Sequence, residues 1–174
     1  MLRLDNTSEQ NILNMLMDHS IISSEQMHQI TTMSKEVGKS KLETAFELNL
    51  ASEKKILKLL STTYSLPIVD LKPYKVDEKL KKIVDARYIK ENSLVPFEIS
   101  DETLKIAIPD ASKLSLMKNL KTITKMDPEL YAASITDIND FISRLVGEDI
   151  AETKRIDTKK NKIRTSKEEG KRFS

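Results

Sequence analysis

Apolar residues recur at helical spacing through the first third of the chain. Between residues 8 and 63 they fall three or four positions apart, which predicts four short amphipathic helices joined by short loops. Ser23 followed by Gln26 has the spacing of a capping box, and Ser52 can cap a later helix. Gly38 marks the break between the second and third helices. We therefore predict a helical bundle over residues 1–65.

The helical part also contains a weak internal repeat with an offset of 29 residues. The stretch 20–27 is matched by 49–56, and Leu13 aligns with Leu42 in the preceding helices. A repeat of this length indicates two copies of one helix–turn–helix unit.

The pattern changes after Tyr64. Two prolines in residues 66–74 predict an extended segment. Alternating apolar residues predict three short strands, at residues 93–100, 103–108 and 129–133. Helical spacing predicts connecting helices at residues 77–84, 86–90, 110–125 and 134–146. In the third of these, one face is predicted to carry Leu114, Met117, Leu120 and Ile123.

These elements predict an α+β fold. A four-helix bundle packs with a small α/β unit over residues 66–146, which has a sheet of about three strands, and a charged, disordered linker or tail follows over residues 147–174. The tail is rich in lysine and nearly lacks apolar residues.

Composition narrows the class of protein. The chain has 174 residues, 39% hydrophobic and 32% charged, as expected of a folded protein. The absence of cysteine excludes disulfides and thiolate metal sites. No apolar run approaches the roughly 20 residues that cross a bilayer, and no signal peptide is recognisable, so we predict a cytoplasmic protein. A net charge of +2 gives no argument for nucleic acid as a partner.

Few residues have the type and spacing of a catalytic, metal-binding or phosphate-binding site. Residues 38–40 read Gly-Lys-Ser, like the end of a phosphate-binding loop, but Met33 stands where that loop needs its first glycine. A helix break is the interpretation that fits this stretch. The two histidines, His19 and His28, have no cysteine or carboxylate at ligand spacing. We therefore predict no catalytic residue, no metal site and no enzymatic activity.

Several phrases of the chain resemble one known family. Leu66–Leu71 reads LPIVDL, and Val76, Leu94–Pro96 and Leu104–Asp110 follow in the order and spacing that this family has. From about residue 11 to residue 146, the chain resembles the N-terminal region of type II secretion and type IV pilus assembly ATPases, the GspE/PilB group.

In some members of that family, the helical part is an MshE-type module that binds cyclic di-GMP. The module uses two copies of a motif that begins Arg-Leu-Gly and contains a second glycine and a closing glutamine. Carried onto this chain, the arginine position is occupied by Asn11 and Ser40. The first glycine becomes Leu13 and Leu42, an apolar position becomes Leu16 and Ala45, the second glycine becomes Ser20 and Asn49, and the glutamine becomes Ser34 and Thr63.

The pattern of replacement suggests a scaffold without its ligand. The apolar positions that hold a bundle together are kept, whereas the glycines that admit a ligand and the arginine that clamps it are lost. We therefore predict these positions to be inactive and the domain to have no cofactor.

The resemblance implies a docking or regulatory domain that recruits a motor ATPase to the cytoplasmic domain of an inner-membrane platform protein. The motor motifs themselves are missing from the sequence, so we expect the chain to be either a fragment of a longer protein with a motor domain or a free-standing homologue of the N-terminal domain. A nucleotide sensor with a rearranged site is the second hypothesis. Neither nucleic acid binding nor direct membrane insertion is expected, and membrane association is expected to be peripheral, through partners.

Overall fold

The computed structural model describes residues 4–145 and 147. The chain divides into two compact units, residues 1–142 and residues 143–174. Of the second unit, the structure describes residues 143–145 and 147, and all of these are helical. The predicted charged tail lies outside the described residues from residue 148 onward, as does Val146.

Four helices open the first unit, as predicted: α1 (Asn6–Asp18), α2 (Ser24–Val37), α3 (Lys41–Glu47) and α4 (Glu53–Tyr64). The capping box at Ser23 is present, because Ser23 Oγ accepts from Gln26 N–H and the Gln26 side chain accepts from Ser23 N–H. Ser52 Oγ caps α4 by accepting from Lys55 N–H at 3.2 Å. Gly38 ends α2 with a φ of 67°, a conformation that glycine adopts at no steric cost.

The helices share one apolar core. Its buried members come from α1 to α4 and from the turns that hold Ile22 and Ala51, and Ile135, from the helix that follows the sheet, joins the same cluster. Burying one such side chain contributes about 1.5–3 kcal/mol, so each helix is held mainly by this packing. The largest contributors are Ile12, Leu13, Leu16, Ile22, Ile30, Leu42 and Ile56.

The remaining elements of the first unit form a three-stranded sheet with helices. They are α5 (Glu78–Ile83), α6 (Ala86–Asn92), β1 (Val95–Ser100), β2 (Thr103–Ile108), a 3₁₀ helix (Ala111–Leu116), α7 (Met117–Thr124), β3 (Asp127–Ala132) and α8, which begins at residue 135. The strand order is β1-β2-β3. The β1–β2 pair is antiparallel and the β2–β3 pair is parallel, so the 3₁₀ helix and α7 form the crossover between β2 and β3. The predicted α+β class is confirmed.

The extended segment before α5 lies against the outer edge of β3. Val69 N–H donates to the Ala132 carbonyl at 2.9 Å, and Ala132 N–H donates to the Pro67 carbonyl at 2.8 Å. This contact amounts to a single bridge between Ile68 and Ala132, parallel in sense. The phrase LPIVDL therefore closes part of the sheet edge.

Three sequence predictions need correction. The strand predicted at residues 129–133 is Asp127–Ala132, because Asp127 and Pro128 already pair with Thr103 and Leu104 of β2. The strand predicted from residue 93 begins at Val95, because Ser93, with a φ of 50°, ends α6. The helix predicted over residues 110–125 is a 3₁₀ helix followed by the shorter α7. A 3₁₀ helix has 3.0 residues per turn, so the predicted single apolar face is broken. Leu114 and Ile123 are 38% and 54% exposed, while Leu120 is buried.

Charged side chains join the helical repeat to the sheet part within the first unit. Lys113 Nζ lies 2.5 Å from Asp5 Oδ2, with the Lys113 side chain almost fully buried. The Glu53 carboxylate accepts from both the N–H and the hydroxyl of Thr136 at 2.7 Å, which satisfies the start of α8. The predicted boundary between residues 65 and 66 remains a prediction.

Candidate functional site

The repeat is visible in the turn that joins the two helices of each copy. Ser20 and Asn49, at the second glycine position of the motif, have φ values of 60° and 57°. Both therefore adopt the left-handed conformation that favours glycine, although neither is glycine. The left-handed backbone conformation is therefore present at both positions although the motif glycine is absent.

The hydrogen bonds of the two turns also correspond. Ile21 N–H donates to the Leu16 carbonyl at 2.8 Å, and Leu50 N–H donates to the Ala45 carbonyl at 3.0 Å. Ser20 N–H likewise reaches the carbonyl of Met17 at 2.9 Å. Asn49 N–H reaches the carbonyl of Phe46 at 3.0 Å. Because the donors and acceptors are all offset by 29 residues, the repeat is a structural one.

Core side chains fill the first glycine position in both copies. Leu13 and Leu42 are each 1% exposed and belong to the shared apolar cluster. Leu16 and Ala45, at the apolar position of the motif, are fully buried in the same cluster. A glycine lets a ligand approach the backbone, and a buried leucine removes that approach.

The arginine position differs between the two copies. Asn11 lies well inside α1 and borders an open cavity lined by uncharged polar side chains, namely Asn6, Thr7, Gln10 and Asn14. Ser40 lies at the start of α3, where its Oγ accepts from Glu43 N–H at 3.1 Å. Neither side chain supplies the bidentate charge that arginine offers to guanine or phosphate.

A carboxylate already occupies the start of α3. Glu9 Oε1 accepts from the backbone N–H of Leu42 at 2.9 Å, which links α1 to α3. Its negative charge beside Ser40 and Leu42 opposes an anionic ligand at this point. No local sequence signal points to Glu9, because its contact joins residues 33 positions apart.

A shallow cavity of about 380 Å³ lies beside these positions. Its wall includes Leu13, Ser34 and Ser40 together with three lysines, Lys35, Lys39 and Lys41. Lys39 forms an ion pair with Glu47, and the hydrogen bond to that carboxylate raises the pKa of Lys39. The cavity therefore combines polar, basic and acidic side chains, because Glu9 also lines it, and one of its three lysines is already paired with a carboxylate.

The closing glutamine positions do not converge on a site. Ser34 is buried and its hydroxyl donates to the Thr31 carbonyl at 3.0 Å, whereas Thr63 is exposed near the end of α4. Residues 38–40, the phosphate-loop look-alike, end one helix and start the next, as the helix-break interpretation predicts. Across the described residues, no group of three or more His, Cys, Asp or Glu side chains could hold a metal ion.

The buried pair Asp5–Lys113 is a second feature that the sequence analysis missed. Asp5 caps α1 by accepting from Ser8 N–H at 2.8 Å, so its position before an apolar-periodic helix was a usable signal. Burial by itself raises the pKa of Asp5, but hydrogen bonds from Lys113 and from Ser8 N–H outweigh it and lower the pKa below 3.8. The pair fixes the start of the first repeat copy.

None of the helices that the structure describes combines the length and apolar composition needed to cross a bilayer.

Comparison with known proteins places the chain in a family. The family model of the MshEN domain matches residues 64–152, slightly more than half of the chain. This match begins at the last residue of α4, so the repeat lies before it.

Two relatives are type IV pilus assembly ATPases named PilB. The protein of Thermus thermophilus is 23% identical over 118 residues, which cover 67% of this chain and 13% of the relative. The protein of Myxococcus xanthus is 28% identical over 96 residues, which cover 55% of this chain and 17% of the relative. The chain thus spans less than a fifth of the length of either relative.

Two solved structures share the fold. A structure of MshE with cyclic di-GMP has a TM-score of 0.54 and 24% identity, over 76% of this chain and 96% of that one. The N-terminal domain of XpsE has a TM-score of 0.55 and 20% identity, over 83% of this chain and 98% of that one. The chain therefore belongs to the MshEN domain family, and it corresponds to the N-terminal domain of secretion and pilus ATPases, which is separate from their catalytic ATPase domain.

Proposed function

We propose that this chain is a non-catalytic docking and regulatory domain that recruits a secretion or pilus motor ATPase to the cytoplasmic domain of an inner-membrane platform protein. The burial of Leu13 and Leu42 is the observation that favours docking over nucleotide sensing. A domain that fills its ligand positions with core side chains retains its surface for protein contacts. In this proposal the domain works in the cytoplasm, at the membrane face, through its partner.

The repeat offers a surface that suits a protein partner. Met17 and Ile21 in the first copy, and Phe46 and Leu50 in the second, are half-buried at equivalent positions and pack on the shared core. Their outer atoms remain in contact with water, so a partner that covers them gains apolar burial. The same pattern in both copies supports a surface built from the repeat.

Binding measured by biolayer interferometry tests this role. The full chain is immobilised and exposed to the purified cytoplasmic domains of platform proteins encoded in the same genome. We expect one of them to bind, and the double variant Ile21→Ser/Leu50→Ser to weaken binding at least tenfold, the effect of losing about 1.4 kcal/mol at a central contact.

A matched control uses another apolar side chain of the repeat. Val37 is 54% exposed at the end of α2, and we expect Val37→Ser to leave the affinity within about twofold. Absence of binding to every platform domain would contradict the proposal. Equal losses for the control and the double variant would contradict the assigned surface.

The second candidate function, nucleotide sensing through a rearranged site, is favoured by the lysine-lined cavity beside Ser34 and Ser40. A thermal-shift screen with nucleotides tests it, because a ligand at 100 times its dissociation constant stabilises the folded state by about 2.7 kcal/mol. We expect no shift. A shift that Lys35→Gln/Lys41→Gln removes would establish sensing in place of docking.

A further inference from the structure

The crossover between β2 and β3 differs in charge from the rest of the chain. The whole sequence is nearly balanced, with 29 Lys and Arg against 27 Asp and Glu. Residues 111–126 contain four lysines and no acidic residue. Positive charge is therefore concentrated in the 3₁₀ helix, α7 and the residue pair that follows.

Three of the four lysines face solvent. Lys113 is buried against Asp5, while Lys118, Lys121 and Lys125 are exposed. Lys118 and Lys121, three residues apart, lie on one face of α7, and Lys125 follows directly as the C-cap of that helix, with a φ of 58°. Lys121 Nζ lies 2.8 Å from Asp127 Oδ1, but both side chains are 63% exposed, so this pair is weak.

The other two lysines are available to an external anion. Lys118 and Lys125 have no ion-pair partner within the part of the chain that the structure describes. The polar residues exposed between the lysines, Ser115, Asn119 and Thr122, are uncharged. No carboxylate of the crossover itself opposes an approaching negative charge.

Two apolar side chains of the crossover are also exposed. Leu114 lies in the 3₁₀ helix and Ile123 lies in α7, and they are 38% and 54% exposed. Exposed apolar groups in a lysine-rich helical segment are typical of elements that lie on anionic membrane surfaces. We call the three exposed lysines, Lys118, Lys121 and Lys125, the basic face.

We propose that the basic face contacts the anionic headgroups of a membrane surface, without insertion. A stable protein interface needs about 800 Å² on each partner, and lysine is depleted at its core, so an eight-residue helix with two exposed lysines and a third at its C-cap fits that role poorly. Lipid phosphates need neither a pocket nor a fixed geometry, only a local excess of positive charge.

The expected affinity for an anionic membrane is high enough to orient the domain but too low to anchor it. Each lysine near an anionic surface multiplies binding about fivefold, so three lysines favour an anionic over a neutral membrane about 100-fold. Anchoring by one such element is marginal and reversible. The contact therefore orients a domain that another attachment brings to the membrane, and it is independent of docking to a platform protein in solution.

Vesicle flotation with the full chain tests the proposal. One set of vesicles contains phosphatidylglycerol and phosphatidylcholine in equal parts, and the other contains phosphatidylcholine only. The double variant Lys118→Gln/Lys125→Gln is compared with Lys54→Gln/Lys58→Gln, which removes the same charge from exposed positions of α4. Both variants keep the basic sequence of residues 148–174, so that segment contributes equally to both.

We expect the wild-type chain to bind the anionic vesicles and to dissociate as salt is raised. The α7 variant should bind about 25-fold more weakly, and the α4 variant within about twofold of wild type. Equal binding to both kinds of vesicle, or equal losses in the two variants, would overturn the proposal. Binding of polyglutamate that the α7 variant abolishes, without binding to vesicles, would assign the basic face to an acidic protein instead.

Discussion

The two copies of the repeat share their turn but differ at the start of the motif. In both, a non-glycine residue, Ser20 or Asn49, holds the left-handed conformation between two helices. In the first copy the motif starts inside α1, at Asn11, where backbone amides are used within the helix. In the second copy it starts at Ser40, the residue that caps α3.

This difference shows which part of the motif the fold itself requires. The turn depends on backbone hydrogen bonds, which recur in both copies without glycine. The first residue of the motif makes none of those hydrogen bonds. It lies inside α1 in the first copy and at the N-cap of α3 in the second. Backbone hydrogen bonds therefore fix the turn in both copies, whereas the first residue of the motif has a different structural role in each copy.

Restoring the first glycine of each motif copy is expected to have the largest effect on stability. Leu13→Gly and Leu42→Gly each remove a buried leucine and place glycine within a helix, so we expect each to lower the free energy of unfolding by about 3–5 kcal/mol. Urea denaturation measures the loss. Unchanged stability in either variant would mean that these leucines do not hold the core.

The ion pair between Asp5 and Lys113 distinguishes the first copy from the second. Asp5→Ala leaves the Lys113 ammonium buried without its partner and removes the cap of α1, so we expect a loss of about 3 kcal/mol. Asp18→Ala, an exposed change at the other end of α1, should cost less than about 0.5 kcal/mol. Equal losses of unfolding free energy for the two variants in urea denaturation would show that the ion pair adds nothing beyond an exposed carboxylate.

The same pair predicts a dependence on pH. Because the pKa of Asp5 is lowered in the folded state, its carboxylate stabilises the fold above the unfolded value of 3.8, and this stabilisation is lost as the pH falls through the folded pKa. We expect the difference in stability between wild type and Asp5→Asn to be constant near neutral pH and to shrink below about pH 4. Thermal unfolding across this range checks it, and a difference that grows on acidification would contradict the assignment.

The smallest expected change in stability comes from placing glycine at the left-handed residue of each turn. Ser20→Gly should stabilise the protein by about 0.5–1 kcal/mol, because glycine adopts a positive φ without a Cβ clash. Asn49→Gly should gain less, since asparagine tolerates this conformation better than serine does. Thr32→Gly, in the exposed middle of α2, should instead destabilise it. Destabilisation by Ser20→Gly would show that the turn is not left-handed.

Local signals predicted most of the fold. The caps at Ser23 and Ser52 and the alternation of apolar residues in β2 act within a few residues, so the sequence displays them directly. The family phrases predicted the class of domain, which the MshEN match confirms.

The errors and omissions came from contacts between distant residues. The crossover helix was predicted with one apolar face, but the burial of Lys113 against Asp5, 108 positions away, accompanies a 3₁₀ start and leaves Leu114 exposed. The Glu9–Leu42 hydrogen bond likewise joins separate helices. The hydrophobic pattern of the sequence indicates neither contact, because each partner is an ordinary polar or apolar residue in its own segment.

Calorimetric titration of the full chain with cyclic di-GMP measures directly whether the filled repeat positions exclude the dinucleotide. With Leu13 and Leu42 buried and no arginine at residues 11 and 40, we expect no binding heat beyond dilution. Saturable binding with a micromolar dissociation constant, about −8 kcal/mol, would contradict the account, because it would require a ligand site that these side chains occupy.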